Sequence, residues 1–209
     1  MKAMNSDSLI DYQYLSTEAS HTHGYLWSPA LGILKEEPGN RVFDLGCGNG
    51  SFARHLKQHG FEVHGVDPSE EAILRAREAD PTLPLETGSA YDDLAERFGQ
   101  FPLVTSLEVV EHVYYPRKYA ACVASLLQSG GSAIISTPYH SYLKNLTLAA
   151  SGKMDQHFTA LWDHGHIKFW SIKTLTTLFA EAGLVRRQVL RVGRFPALAK
   201  SMILVFQKP

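Results

Sequence analysis

The chain has 209 residues, a formal net charge of −1 and a hydrophobic fraction of 44%, which fits one globular domain, or at most two, and excludes a disordered chain. The near-zero net charge argues against a broad basic surface that binds nucleic acid or an anionic membrane. It does not exclude a local basic patch. Two cysteines, Cys47 and Cys122, cannot make a disulfide framework, and we find neither a membrane span nor a signal peptide, so we expect a cytoplasmic protein.

From residue 41 onward, segments typical of strands and helices alternate. Apolar runs bounded by turn residues predict strands, and apolar residues at helical spacing predict helices. The predicted strands are residues 41–45, 61–66, 83–87, 103–107, 132–136, 184–190 and 201–207, and the predicted helices are residues 50–59, 69–78, 92–98, 118–128 and 171–182. This alternation predicts an α/β fold with a mainly parallel sheet and helices on both faces, and the ligands of such sheets bind beyond the carboxyl ends of the strands.

Two segments fall outside the alternation. Residues 1–40 predict an N-terminal helical cap, and residues 139–169 form a long, aromatic and histidine-rich connection inside the main domain, residues 41–209. Plain connections in compact domains are shorter than this one, so we interpret it as a cap insertion. Either segment could cover the mouth of a pocket, or could pack on the surface without touching a substrate.

The strongest local signal is a glycine-rich loop directly after the first predicted strand. Gly46, Gly48 and Gly50 stand at alternate positions, where the backbone can turn tightly and approach a ligand without interference from a Cβ atom. Dinucleotide-binding enzymes also have a glycine loop, but with the spacing G-x-G-x-x-G. Asp44 precedes the first glycine by two residues, and its charge would repel a pyrophosphate but suits a ligand with an ammonium group and a sulfonium group.

A second acid follows the second predicted strand. Asp67 stands 21 residues after Gly46, and a carboxylate at that place can accept hydrogen bonds from both hydroxyls of an adenosine ribose. The alternative role for Asp67 is to cap the helix that follows it.

The loop and Asp67 together resemble the motifs of class I S-adenosylmethionine-dependent methyltransferases, over roughly residues 40–207. The resemblance implies a Rossmann-like sheet of seven strands with an antiparallel last strand, for which residues 201–207 are the candidate, and S-adenosyl-L-methionine as the cofactor. The cofactor-binding residues that it implies are Asp44, Gly46, Cys47, Gly48, Asp67, Pro68, Ser89, Ala90 and Leu107. Many members of the family have an acid where Ser89 stands, which leaves recognition of the adenine amino group open.

A cluster of ionisable residues follows the fourth predicted strand. Glu108, Glu111 and His112 share one face if this turn is helical, and they would then lie at the carboxyl edge of the sheet. Two carboxylates and an imidazole can bind a divalent cation, or they can act as a base and an orienting acid for a hydroxyl nucleophile.

The pattern Glu-x-x-Glu-His resembles that of ubiquinone-pathway catechol O-methyltransferases and of RNA 3′-terminal 2′-O-methyltransferases, in which a distant histidine completes a metal site. Residues 165–171 resemble the segment that supplies this histidine. The resemblance therefore implies a site for one divalent ion, Mg²⁺ or Zn²⁺, formed by Glu108, Glu111, His112 and His166. A metal-free role of His112 beside the substrate and a purely structural role of the cluster stay open.

The sequence thus predicts a methyltransferase that methylates an oxygen of a small hydroxylated metabolite, aromatic or otherwise, by direct displacement. The candidate catalytic residues are His112, His140, which follows the fifth predicted strand, and Glu111. Three alternatives are an RNA 2′-O-methyltransferase, an NAD-dependent oxidoreductase, which Asp44 argues against, and a non-catalytic cofactor-binding protein on the same fold. We expect a small-molecule substrate as the partner rather than a nucleic acid, and the oligomeric state stays open.

Overall fold

The computed structural model describes residues 23–158, 160–162 and 165–209. Most of the predicted N-terminal cap, residues 1–22, therefore lies outside the described residues. Its described part is one helix, α1 (His23–Glu36), which precedes the first strand.

Within the described residues, seven strands form one sheet. The strands are β1 (Arg41–Leu45), β2 (Glu62–Asp67), β3 (Leu85–Thr87), β4 (Phe101–Leu107), β5 (Leu127–Pro138), β6 (Val185–Val192) and β7 (Ser201–Gln207). Their order across the sheet is β3-β2-β1-β4-β5-β7-β6. β7 runs antiparallel to both of its neighbours, and the pairs from β3 to β5 are parallel. The predicted seven-stranded sheet with an antiparallel last strand is confirmed.

Helices connect the strands. They are α2 (Ser51–Gln58), α3 (Glu70–Ala79), α4 (Leu94–Phe98), α5 (Pro116–Leu126), α6 (Tyr142–Ala150), α7 (Met154–Phe158), α8 (Ile172–Glu181) and a short 3₁₀ helix (Pro196–Leu198). α5 begins two residues earlier than the prediction, because proline is favourable at the first position of a helix. It also ends earlier, since β5 starts directly after it.

Both faces of the sheet are buried, which places the core in two layers. Val42 packs with the α1–α3 side and the next residue, Phe43, with the α5–α8 side, because successive side chains of a strand point to opposite faces. Val205 and Phe206 of β7 divide in the same way. The central strands therefore cannot slip by a residue without exchanging the two layers.

Residues 139–169 leave the sheet at the carboxyl end of β5. They contain α6 and α7, and neither helix has a buried residue. The assignment of this segment as a cap over the active site stays a prediction. Among the described residues no helix is both long and apolar enough to cross a membrane.

Candidate active site

The glycine loop follows β1, at the point in the sheet where the strand order reverses. The amide nitrogens of Gly46 and Cys47 donate hydrogen bonds of 2.8 and 3.0 Å to the carbonyl of Val66 in β2. Gly46 has a φ of 82°, and a Cβ atom there would lie 2.5 Å from Cγ2 of Val109. The loop is thus pressed between β2 and the turn after β4, and only glycine fits at Gly46.

Asp67 ties the end of β2 to this loop. Its Oδ2 accepts a 2.9 Å hydrogen bond from the amide of Gly48, and its Oδ1 accepts one of 2.9 Å from the amide of Ser69. The cap of α3 is Ser69, whose hydroxyl oxygen accepts a hydrogen bond from the amide of Ala72. Asp67 is therefore not the helix cap, and its carboxylate retains acceptor positions for a ligand.

Asp44 and Asp67 are two buried acids in one small region. Asp44 is 3% exposed and accepts a 2.7 Å hydrogen bond from the hydroxyl of Thr105. Burial raises the pKa of Asp44 to about 7 and that of Asp67 to about 6. Neither carboxylate has an ion-pair partner in the described part of the chain. A ligand with a positive charge and several hydroxyl donors fits these two acids, as S-adenosylmethionine does.

The remaining predicted cofactor-binding residues lie at or just beyond the carboxyl ends of β1, β2, β3 and β4. Cys47 is buried, and burial raises the pKa of its thiol well above the usual value, so Cys47 is not poised as a nucleophile. The amide of Ser89 donates a 2.7 Å hydrogen bond to Oδ2 of Asp92, and Ala90 packs against the core. Pro68 directly follows Asp67, the last residue of β2, and Leu107 is the last residue of β4.

Two residues that sequence reasoning missed shape this region. A Cβ atom at Gly65 would lie 2.7 Å from the carbonyl oxygen of Asp44 and 3.2 Å from Cβ of Cys47. A glycine inside a strand is the signal for such a close backbone approach. Thr105, whose hydroxyl donates a hydrogen bond to Asp44, is a buried polar residue in β4. A polar residue within an apolar run is the sequence signal that could have indicated this role.

The turn after β4 is not helical, which corrects the predicted geometry. Glu108 has a φ of 57°, in the left-handed region, so the turn does not place Glu108 on one helical face with Glu111 and His112. Its Oε1 accepts a 2.8 Å hydrogen bond from the hydroxyl of Ser136, and its Oε2 accepts one of 3.1 Å from the hydroxyl of Ser201. Glu108 therefore connects β5 and β7 and is not grouped with Glu111, His112 and His166.

Glu111, His112 and His166 do come together. One potential ligand atom from each lies within 4.8 Å of the other two, and Nε2 of His166 is 4.0 Å from Oε1 of Glu111. The carbonyl of Glu111 accepts hydrogen bonds from the amides of Ile167 and Lys168, at 2.9 and 3.0 Å. These backbone bonds fix the distant histidine beside the turn.

The charges of this group are unusual. Glu111 is 1% exposed, and neither of its carboxylate oxygens has a hydrogen-bond partner among the described residues. Burial, together with the Glu108 carboxylate, raises the pKa of Glu111 well above its ordinary value. Burial and the neighbouring His112 lower the pKa of His166 to about 4. A neutral imidazole and a buried carboxyl group fit a divalent cation, which would bind the ionised carboxylate and displace its proton.

His140 lies beyond β5, next to this group. It is 8% exposed, and its Nδ1 is 3.4 Å from Oδ1 of Asn145. Its ring centroid lies 5.9 Å from that of Phe158 and 5.1 Å from that of Phe169. Burial lowers the pKa of His140 to about 4, with a smaller contribution from the charge of Lys144. The imidazole of His140 is therefore uncharged at neutral pH.

A seven-stranded sheet with this glycine loop and two buried acids defines a class of nucleoside-binding α/β enzymes. The chain belongs to a methyltransferase family: the model described as "Methyltransferase domain" matches residues 19–189. It is a methyltransferase that depends on S-adenosylmethionine, which excludes the NAD-dependent oxidoreductase and the non-catalytic alternative.

Curated relatives carry a more specific name. The ubiquinone biosynthesis O-methyltransferase of Burkholderia pseudomallei strain K96243 is 30% identical over 172 residues, which are 80% of this chain and 73% of that protein. The enzyme with the same name from Aromatoleum aromaticum is 29% identical over 162 residues, 76% of this chain and 69% of that protein.

Solved structures agree with the fold. An S-adenosylmethionine-dependent methyltransferase from Mesorhizobium loti superimposes with a TM-score of 0.66 at 19% identity, over 87% of this chain and 97% of that one. The structure of a Haloferax volcanii methyltransferase with its Trm112 activator gives a match with a TM-score of 0.67 at 20% identity, over 88% and 90% of the two chains.

Proposed function

We propose that the protein transfers the methyl group of S-adenosylmethionine to a hydroxyl of a small molecule with adjacent hydroxyls, such as a catechol, with the help of a divalent cation. The observation that carries this proposal is the buried Glu111 carboxylate, which faces His166 and lacks a hydrogen-bond partner among the described residues. The curated relatives are named O-methyltransferases, which supports oxygen as the methyl acceptor.

The cofactor roles follow from the two buried acids. In this proposal Asp67 accepts hydrogen bonds from the ribose hydroxyls, and Asp44 lies beside the amino group of the methionine part. In the same proposal Gly46 and Gly48, whose φ values of 82° and 54° lie in the left-handed region, form the floor beneath that part, because glycine adopts this backbone without strain. Transfer needs little more than alignment and exclusion of water, because the sulfonium is already a good leaving group.

Glu111, His112 and His166 would hold the cation. When bound, a divalent cation lowers the pKa of a coordinated hydroxyl. His140 takes the hydroxyl proton at Nε2, because Oδ1 of Asn145 lies beside Nδ1 and fixes that nitrogen as the donor. With a pKa of about 4, His140 accepts a proton only from a hydroxyl that has already become acidic.

The experiment measures S-adenosylhomocysteine formation with catechol, phenol and an RNA oligonucleotide as acceptors, with Mg²⁺, Mn²⁺ or Zn²⁺ and with EDTA. We expect product with catechol and a metal, little with phenol, and loss of product in EDTA and in Glu111→Gln. Glu181→Gln is the matched control, since this glutamate pairs with Arg117 at the surface.

Two outcomes would overturn the proposal. Equal rates with catechol and phenol in EDTA would exclude a role for a metal that binds adjacent hydroxyls. Product with the RNA 3′ end but not with catechol, together with an affinity that falls steeply with salt, would favour the RNA methyltransferase.

A further inference from the structure

A cavity of about 250 Å³ opens beyond the carboxyl end of β5. It lies between α6, α7 and the segment that joins the 3₁₀ helix to β7. Its lining includes Pro138, Lys144, His157, Arg194 and Lys200. The other lining residues are neutral: Thr147, Leu148, Leu198 and Ala199. We call it the cationic cavity, because three of its nine lining residues, Lys144, Arg194 and Lys200, carry a positive charge.

The positive charge of the cationic cavity is not neutralised by the surrounding protein. In the described ranges, no carboxylate forms an ion pair with Lys144, Arg194 or Lys200. Glu108 attracts Lys144 at longer range and offsets part of its charge, but the two side chains form no ion pair. Burial, and then the charge of Arg194, lower the pKa of Lys144, as expected where like charges converge.

The three cations are held differently. Nζ of Lys144 donates hydrogen bonds to the carbonyls of Tyr139 at 2.9 Å and of Lys200 at 3.4 Å, which fixes it and leaves one of its three donors. Nζ of Lys200 lies 5.1 Å from the ring centroid of Tyr25. Arg194 is exposed, and its planar guanidinium can bind a carboxylate or a phosphate with two parallel hydrogen bonds.

The cationic cavity adjoins the candidate active site. The ring of His157, in its lining, is 5.5 Å from that of His140, and Pro138 is the last residue of β5. Lys200 directly precedes Ser201, whose hydroxyl donates to Glu108. A molecule whose hydroxyls lie beside His140 can extend past His157 into the cationic cavity.

We infer that the cationic cavity binds an anionic group of the methyl acceptor, either a carboxylate or a phosphate. This inference rests on the proposed function, because it takes the acceptor hydroxyls to lie beside His140. A neutral molecule of the same shape would leave the half-buried charge of Lys144 without an anionic partner, whereas the exposed Arg194 stays in contact with water. Such a site rejects the neutral isostere more strongly than an apolar pocket rejects a misfit of similar size.

The test uses the full chain saturated with S-adenosylhomocysteine and compares benzoate, phenyl phosphate and benzamide by calorimetric titration. We expect benzoate or phenyl phosphate to bind about tenfold more tightly than benzamide. One charge-assisted hydrogen bond to the anion provides a gain in affinity of this size. Arg194→Gln and Lys200→Gln should each reduce this preference to less than about threefold. Arg187→Gln removes a charge from the exposed part of β6, outside the cationic cavity, and should keep the preference.

Several results would overturn the inference. One is equal binding of all three probes in the wild type, and another is an Arg187→Gln variant that loses as much preference as Arg194→Gln. Weaker binding of S-adenosylhomocysteine itself in Arg194→Gln would assign the cations to the cofactor. Stronger binding of phenyl phosphate than of benzoate supports the inference and assigns a phosphate.

Acceptor kinetics separate this inference from the proposed function. If catechol is methylated but 3,4-dihydroxybenzoate and its amide have equal KM values, the inference is wrong and the proposed function stands. If no catechol is methylated but the preference for benzoate still depends on Arg194, the proposed function is wrong and the anion site stands.

Discussion

The amide nitrogen of Gly48 lies 2.9 Å from Oδ2 of Asp67, so the glycine loop after β1 is hydrogen-bonded to the acid that ends β2. The other carboxylate oxygen of Asp67 accepts a hydrogen bond from the amide of Ser69. Each oxygen has a second acceptor position. One carboxylate can therefore fix the loop and still receive the two ribose hydroxyls that we propose for it.

We expect Asp67→Ala to weaken S-adenosylhomocysteine binding by about 1–3 kcal/mol, through loss of charge-assisted hydrogen bonds. Asp67→Asn should lose nearly as much, because a carboxamide has one acceptor oxygen for two backbone N–H groups. Calorimetric titration measures both, with Asp80→Asn as the control, since Asp80 pairs with Lys57 at the surface. Wild-type affinity in Asp67→Ala would contradict the ribose role.

Gly46 offers a test of the loop's packing with a matched control. Gly60 has nearly the same φ as Gly46, 88° against 82°, but no atom lies within 4 Å of a Cβ placed there. Gly60→Ala should cost about 1–2 kcal/mol of folding free energy from the left-handed backbone alone. Gly46→Ala should cost a further amount of about 1–3 kcal/mol, from overlap with Val109.

Urea unfolding measures these free energies, and a double variant checks the cause. If the overlap is real, adding Gly46→Ala to a Val109→Ala background should cost about the same 1–2 kcal/mol as Gly60→Ala. Equal losses in the two single glycine variants would show that Val109 does not press on the loop.

Local patterns in the sequence predicted most of the strands, because a buried strand appears in the sequence as a short apolar run bounded by turn residues. The predicted last strand, residues 201–207, coincides with β7 (Ser201–Gln207). The predicted helix 69–78 begins at Ser69, which caps α3 through a hydrogen bond from the amide of Ala72. In each case the determining signals lie within a few residues of one another.

The geometry of the site could not be predicted as well as the sheet, because it depends on backbone angles and on contacts between distant parts of the chain. Nothing in the sequence around Glu108 signals its left-handed backbone, and among the described residues the potential ligand atoms that lie within 4.8 Å of one another belong to Glu111, His112 and His166, without Glu108. The cationic cavity draws Lys144, Arg194 and Lys200 from two distant parts of the chain. Only the pairing of β5 with β7 brings those parts together.

Cofactor affinity should rise with pH between about 5.5 and 8, because the pKa values of Asp44, about 7, and Asp67, about 6, are raised by burial. A cationic ligand binds the ionised acids, so binding releases protons in this range. In the free protein these acids contribute stability below pH 3.8, and this contribution is lost as the pH rises through 6 and 7.

Titrations of S-adenosylmethionine in two buffers with different ionisation enthalpies count the released protons. We expect release at pH 6.5 and almost none at pH 8.5. Asp44→Asn should reduce the release at pH 6.5, since it removes the acid with the higher pKa of the two. An affinity that does not change from pH 5.5 to 8 would show that both acids are already ionised in the free protein.

The buried Glu111 carboxylate should make the metal-free protein less stable than a neutral variant. The pKa of Glu111 is raised by burial and by Glu108, so its contribution to stability is complete below its ordinary pKa of 4.5 and is lost as the pH rises. In EDTA at pH 8 we therefore expect Glu111→Gln to unfold at a higher temperature than the wild type. This difference should shrink as the pH falls to 5.

Metal should reverse that order, which makes the prediction specific to a metal site. At a concentration 100 times its dissociation constant, a bound cation adds about 2.7 kcal/mol to the stability of the wild type and nothing to a variant that cannot hold it. Glu108→Gln should keep the increment, because Glu108 bonds to Ser136 and Ser201 instead of joining the metal group. Two results together would contradict this prediction. They are an unfolding temperature of the wild type that Mg²⁺, Mn²⁺ and Zn²⁺ leave unchanged, and a Glu111→Gln variant that is more stable than the wild type with and without metal. Glu111 would then be a buried charge without a ligand.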